Sequence, residues 1–154
     1  MDRRKFLIWG HAIICSLGLS LPATAEESGN TFRKGSTMTE IQFILGSERL
    51  FATLDDSPAA RDFAAMLPLE LTLSDYHGTE KIADLPRKLD TTGAPASYKP
   101  ETGDITLYAP WGNLAIFYKP FQSSRGLVRL GRFDGSISAL LKDGDFPVRI
   151  EIVE

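Results

Sequence analysis

The stretch GDITLYAPWGNLAIFY, Gly103 to Tyr118, leaves the chain little choice but a β-hairpin. Ile105 and Leu107 share one face of an extended run, and Leu114, Ile116 and Tyr118 share one face of the next. Between the runs, Pro110 presets φ for a turn and Gly112 supplies the positive φ that follows a type I turn. The spacing predicts a three-residue loop, Pro110 to Gly112, closed by a bulge. Trp111, one of two tryptophans in the chain, stands at its tip.

Further strands flank this hairpin. Ile41, Phe43 and Leu45 alternate with polar or solvent-phase positions, Gly46-Ser47 turns the chain, and Leu50, Ala52 and Leu54 share a face on the way back. Ser57-Pro58 is a helix start, with Ser as N-cap and Pro at the first helical position. Ala59, Ala60, Phe63, Met66 and Leu67 follow at helical spacing until Pro68 stops them. Leu69, Leu71 and Leu73 then alternate as a half-buried strand. Asp75 to Thr102 reads as a long irregular loop punctuated by Gly78, Pro86, Gly93, Pro95 and Pro100, and loops of that length usually have a role. Phe121 to Gly126 is a second loop, and Leu127 to Phe133 alternates again. Asp134-Gly135-Ser136 caps a short helix over Ile137, Leu140 and Leu141, and Pro147 to Val153 makes the last strand. This order predicts a mainly β chain, a closed barrel with two short helices capping its ends.

The N-terminus reads as an address. Asp2-Arg3-Arg4-Lys5-Phe6-Leu7 precedes an apolar run to Leu21, and Ala23-Thr24-Ala25 offers a small-residue cleavage site. The run is broken by Gly10, His11 and Gly18, so no stable membrane span is expected in the mature form. Residues 1–25 are expected to be an export signal, similar to the twin-arginine kind, with an ordinary secretory signal or an uncleaved anchor as the alternatives. Localisation would then be periplasmic or otherwise exported. Glu26 to Thr39, rich in Ser, Thr, Gly and charge, reads as a flexible linker, and residues 40–154 as one domain. The formal charge of −3 becomes −5 once the signal's three basic residues and one acid are gone, which speaks against nucleic acid as a partner. Cleavage also removes Cys15 and His11, leaving no cysteine and only His77. No thiol chemistry, no cysteine–histidine metal site and no cofactor are expected.

The run SPAARDFAAMLPLELTLSDYHGTEKIADLPRKL, then GAP, then GDITLYAPWGNLAIFY, resembles the bacterial cyclophilin-like-fold proteins over nearly all of Glu40 to Glu154. The resemblance implies a closed eight-stranded barrel capped by helices. True cyclophilins are peptidyl-prolyl isomerases, and part of their pattern is present: Tyr76-His77-Gly78-Thr79 and Pro86 fit its frame. Their phenylalanine, histidine and arginine slots fall here on Lys81, Ile82 and Ala83, and their glutamine-glycine stretch is absent from Arg87 to Gly103. The arginine hydrogen-bonds the amide and weakens its double-bond character during rotation, so its loss argues against efficient isomerisation.

Several groups remain as candidates for binding. Tyr108 and Trp111 suit an aromatic shelf for a peptide or small ring, or else fold onto their own barrel. Arg125, between Ser124 and Gly126, suits a carboxylate or carbonyl, or else bonds loop carbonyls. Glu80, Asp84, Arg87 and Lys88 cluster around one turn, either lining a polar pocket at the barrel mouth or forming solvated ion pairs. No nucleophile elbow, Walker loop or dinucleotide fingerprint appears. The reading is an exported, non-catalytic binding protein for a small molecule or a peptide segment. The alternative is a weak or divergent prolyl isomerase of the cell envelope. Any site is expected where the Asp75–Thr102 loop, the Trp111 tip and the Phe121–Gly126 loop converge.

Overall fold

Apolar residues at every second position force each strand to hide one face, and the sheet does so by closing on itself. The computed structural model describes residues 38–154. The expected signal, residues 1–25, and the expected linker up to Thr37 lie outside the described residues. Ten strands follow in chain order: β1 (Thr39–Leu45), β2 (Glu48–Leu54), β3 (Leu69–Tyr76), β4 (Glu80–Asp84), β5 (Ser97–Tyr98), β6 (Asp104–Tyr108), β7 (Asn113–Phe117), β8 (Ser124–Arg125), β9 (Leu127–Phe133) and β10 (Phe146–Ile152). Eight of them close into a barrel in the order β1-β10-β3-β4-β7-β6-β9-β2. Every pairing in it is antiparallel. β5 and β8 pair with each other as a separate two-stranded flap.

The barrel interior is the core. Ile41, Phe43, Leu54, Leu73, Ile105, Leu107, Leu114, Ile116, Leu130 and Ile150 are fully buried, which matches the phase read from their alternation. Helix α1 (Pro58–Ala64) covers one end: the Ser57 hydroxyl accepts from the Ala60 N–H at 3.1 Å, and Ala59, Ala60 and Phe63 are buried. It stops three residues before the expected Leu67. The second expected helix is a single 3-10 turn, Ser138–Leu140. Serine and β-branched residues favour helix weakly, and one turn suffices to bury Leu140 while Leu141 stays 55% exposed. Among the described residues no helix is long and apolar enough to cross a membrane.

Two further expectations need correction. The Asp75–Thr102 stretch is not wholly irregular, because it contains the barrel strand β4 and the flap strand β5. β4 hides from pattern reading because one of its inward positions is a charged residue, Lys81, at 3% exposure. The central hairpin also turns one residue earlier than expected. Tyr108 pairs with Asn113, so the loop is Ala109 to Gly112. Ala109 leaves the hairpin ladder because its N–H donates to the Gly126 carbonyl at 2.8 Å. Gly112 does take the positive φ, +73°, and both it and Trp111 donate to the Tyr108 carbonyl.

Candidate functional site on the outer wall

β7 is apolar in both phases apart from Asn113, and Tyr108 ends β6 on the same outward face. Leu107, Leu114 and Ile116 point into the barrel, while Tyr108, Ala115 and Phe117 point out of it. An outward apolar phase must also be covered. Ala115, Phe117 and Leu127 form a second buried cluster, with Ile82, Tyr98 and Tyr108 packed against it. The flap and the Phe121–Arg125 segment cover this wall only in part. A cleft of about 470 Å³ remains, lined among others by Tyr76, Glu80, Tyr108, Trp111, Asn113, Phe117, Phe121 and Arg125.

Strand register sets the order of groups in this cleft. Tyr76 on β3 lies opposite Glu80 on β4, and Glu80 opposite Phe117 on β7, so the carboxylate stands between two aromatic residues. Toward the hairpin end, Asn113 pairs with Tyr108, and Tyr108 with Leu127 on β9. Trp111 folds back over the wall. Its ring meets Tyr108 edge-on at 5.3 Å and Tyr76 edge-on at 5.9 Å, yet it stays 61% exposed. Phe121 stacks on Phe117 at 6.3 Å from the other side. The tip is held in place by Gly126: a Cβ there would stand 2.7 Å from Pro110 Cδ, so only glycine lets the proline ring seat.

The polar groups of the cleft are short of partners. Among the described residues the Glu80 carboxylate makes no hydrogen bond or ion pair, and burial pushes its pKa up to about 6 from an ordinary 4.5. Asn113 is 4% exposed, and among the described residues its Oδ1 has no hydrogen-bond partner. Arg125 stands exposed on β8, the one guanidinium lining the cleft among the described residues.

Other charges near the cleft have partners. Lys81, next to Glu80 but on the inward face, donates to the Lys142 carbonyl at 2.8 Å and lies 3.3 Å from Asp75 Oδ1. Its Nζ also sits over the Tyr118 and Phe146 rings at 5.6 and 5.5 Å. The Tyr118 hydroxyl donates to Asp75 at 2.5 Å; that bond and the Gly78 N–H and Lys81 beside it hold the Asp75 pKa below its ordinary value. A smaller cavity of about 230 Å³, beside α1, is lined by Arg129, which lies 3.5 Å from Asp55 and 3.6 Å from Asp104.

The structure therefore brings together Glu80, Tyr108, Trp111 and Arg125 and leaves out Arg87. Arg87 forms a two-pronged pair with Asp62 of α1, at 2.9 and 2.7 Å. That pair, with the Asp90 N–H, holds the Asp62 pKa down to about 2. The cleft lies on the outer wall of the barrel and not at its mouth. Sequence reasoning does not single out Tyr76 and Phe121 as site residues, but they lie in the segments expected to converge with the Trp111 tip, whereas Asn113 and Phe117 were missed. The available signal was the apolar filling of both phases in Asn113 to Phe117, which marks a strand covered on two sides.

The Cyclophilin-like family matches residues 43–151, more than two thirds of the chain. The chain belongs to the Cyclophilin-like family. A hypothetical protein from Archaeoglobus fulgidus, known from a solution structure, shares the fold with a TM-score of 0.59 at 17% identity, covering 75% of this chain and 95% of the other. No curated protein matches the sequence. Within the Cyclophilin-like barrel, Ala83 points into the core at 6% exposure. The position at which the resemblance to true cyclophilins seeks an arginine thus faces away from the cleft.

Proposed function

We propose that this Cyclophilin-like barrel is an exported, non-catalytic binding module whose outer-wall cleft takes a small molecule or a peptide segment. One observation carries the reading: a cleft of about 470 Å³ with an aromatic wall, where, among the described residues, a half-buried carboxylate and a buried amide oxygen have no partner. Buried polar groups are normally paired, and leaving them unpaired is costly unless something else completes them. Aromatic rings supply apolar contact area with little entropy to lose, which is how concave sites gain affinity.

Trp111 tests the reading. It is mostly exposed and its ring meets Tyr76 and Tyr108 edge-on, outside the barrel core, so Trp111→Ala is expected to leave the domain folded. Loss of an aromatic anchor should cost about 1–3 kcal/mol of binding to whatever molecule copurifies with the chain, read by native mass spectrometry and calorimetry. Unfolding of the variant would make the tryptophan a packing element and remove the site. Prolyl isomerisation is expected to be negligible, because Ala83 offers no guanidinium to the rotating amide. Acceleration of a proline test peptide to cyclophilin levels would reverse that and turn attention to Arg125. Export rests on the Arg3-Arg4 pair and Ala23-Thr24-Ala25. N-terminal sequencing should find the mature chain starting after Ala25; a chain starting at Met1 or Met38 in the cytoplasm would end that part of the proposal.

A further inference from the structure

The groups that wait for a partner in the cleft are of one electronic kind. Glu80 offers an anion. Asn113 offers a carbonyl oxygen without a donor. The rings of Tyr76, Trp111 and Phe117 line the same cleft as Glu80, and aromatic rings carry electron-rich faces. Nothing among the described residues neutralises the carboxylate. Lys81 is adjacent in sequence but turned inward and already bound to Asp75 and the Lys142 carbonyl. Lys119 sits over the Tyr118 ring at 5.7 Å. Arg125 lines the cleft from the flap but makes no ion pair with Glu80, and its exposure keeps it hydrated.

An anion held among aromatic rings, without a counterion, is complementary to an organic cation. The ring faces attract the positive charge, and the carboxylate takes its N–H in a charge-assisted bond. We propose that the cleft recognises an alkylammonium group, with Glu80 as the anionic end and Tyr76, Trp111 and Phe117 as its walls. The inference rests on the reading of the cleft as a binding site and names the chemistry of its ligand. Burial costs the ionised Glu80 free energy in the empty protein, and a bound ammonium returns it. Arg125, at the flap, is placed to take an acceptor on the same ligand. A free amine and a lysine side chain on a peptide share the ammonium, and they differ in whether they carry such an acceptor.

The test uses the full chain at about pH 7.5, where an alkylammonium is protonated and Glu80 ionised. The probes are n-butylammonium, the uncharged n-butanol, the anion butyrate, and a blocked Gly-Lys-Gly peptide. Amide and indole NMR shifts of Tyr76, Glu80 and Trp111 report binding. The expected result is saturable shifts with butylammonium, far weaker ones with butanol and butyrate, and an affinity lower by about tenfold in Glu80→Gln. A peptide that binds more tightly than butylammonium, and loses this advantage in Arg125→Ala, identifies the source as a lysine side chain. Equal affinity of both identifies a free amine. If butanol or butyrate shifts the same residues as strongly as butylammonium, the cleft binds ligands but the ammonium inference is overturned. If no probe shifts them while the spectrum shows a folded domain, the cleft reading falls as well. Thermal unfolding of Glu80→Gln and Arg125→Ala separates lost binding from lost fold.

Discussion

Glu80 and Lys81 are neighbours on β4, and they face opposite ways. Lys81 is buried at 3% exposure, yet every demand of its charge is met by the Lys142 carbonyl, Asp75 and two rings. Glu80 is only half-buried, yet among the described residues nothing meets its charge. A deeply buried charge with a full set of partners belongs to the fold, because desolvation must be repaid inside the molecule for the chain to fold at all. A shallower charge without partners is, on the proposed reading, left for something from outside. The inner face of β4 is thus finished by folding, and the outer face is not.

The largest expected effect comes from breaking the finished side. Lys81→Ala removes a charged hydrogen bond, strips Asp75 of its cation and leaves a void between Tyr118 and Phe146. Together these should cost about 3 kcal/mol of unfolding free energy, read from urea denaturation. Glu80→Gln keeps the shape of its side chain and removes a desolvated charge, so near pH 7 it should be neutral or slightly stabilising. If both variants lose the same stability, the contrast between the two faces is wrong.

A second effect, smaller and confined to a pH window, comes from the sign of the titrations. The folded chain raises the Glu80 pKa from 4.5 to about 6, so between these values it holds more proton than the unfolded chain. The Glu80 contribution is therefore most favourable below about 4.5 and is lost as pH rises through about 6. Asp62 runs the other way. Its pKa falls from 3.8 to about 2, so its contribution is present above 3.8 and is lost as pH drops toward 2. The Tm of the native chain should decline between about pH 4.5 and 6, and Glu80→Gln should flatten that decline without changing the acid limb. Identical Tm profiles in the two proteins would mean that Glu80 is not desolvated. Alkylammonium affinity should rise over the same interval as Glu80 ionises.

How much of this could be read in advance follows the same division. The inner phase of β1, β2, β6, β7 and β9 is plain in the sequence, because Ile41, Phe43, Ile105, Leu107, Leu114 and Leu130 sit at period two. The Ser57-Pro58 helix start is equally local. β4 escapes because its inward Lys81 reads as a solvent position, and the carbonyl that accepts its hydrogen bond, that of Lys142, lies 61 residues away in the chain. The cleft was legible only in part. Trp111, Tyr108, Glu80 and Arg125 stand out by type, but Asn113 and Phe117 become site residues only through cross-strand register. Arg87 stands out by type too, and its role was settled by a helix residue 25 positions earlier.

Arg87 gives the smallest expected effect and the sharpest check. The sequence nominates it as a ligand contact; the structure spends it on Asp62, a two-pronged pair between α1 and the chain that follows β4. Solvent-exposed pairs of this kind contribute little, and salt screens them. Arg87→Ala should therefore lower the Tm slightly at low ionic strength, and the difference should shrink as salt is added. The loss should also show as a rise in the Asp62 pKa from about 2 toward its ordinary 3.8, visible by carboxyl NMR. Ligand affinity should not move, because Arg87 does not line the cleft. An affinity loss matching that of Trp111→Ala, in a variant that remains folded, would mean that a charge already paired within the fold also serves the site. The division between completed and waiting charges would then fail at the very residue where sequence and structure disagree.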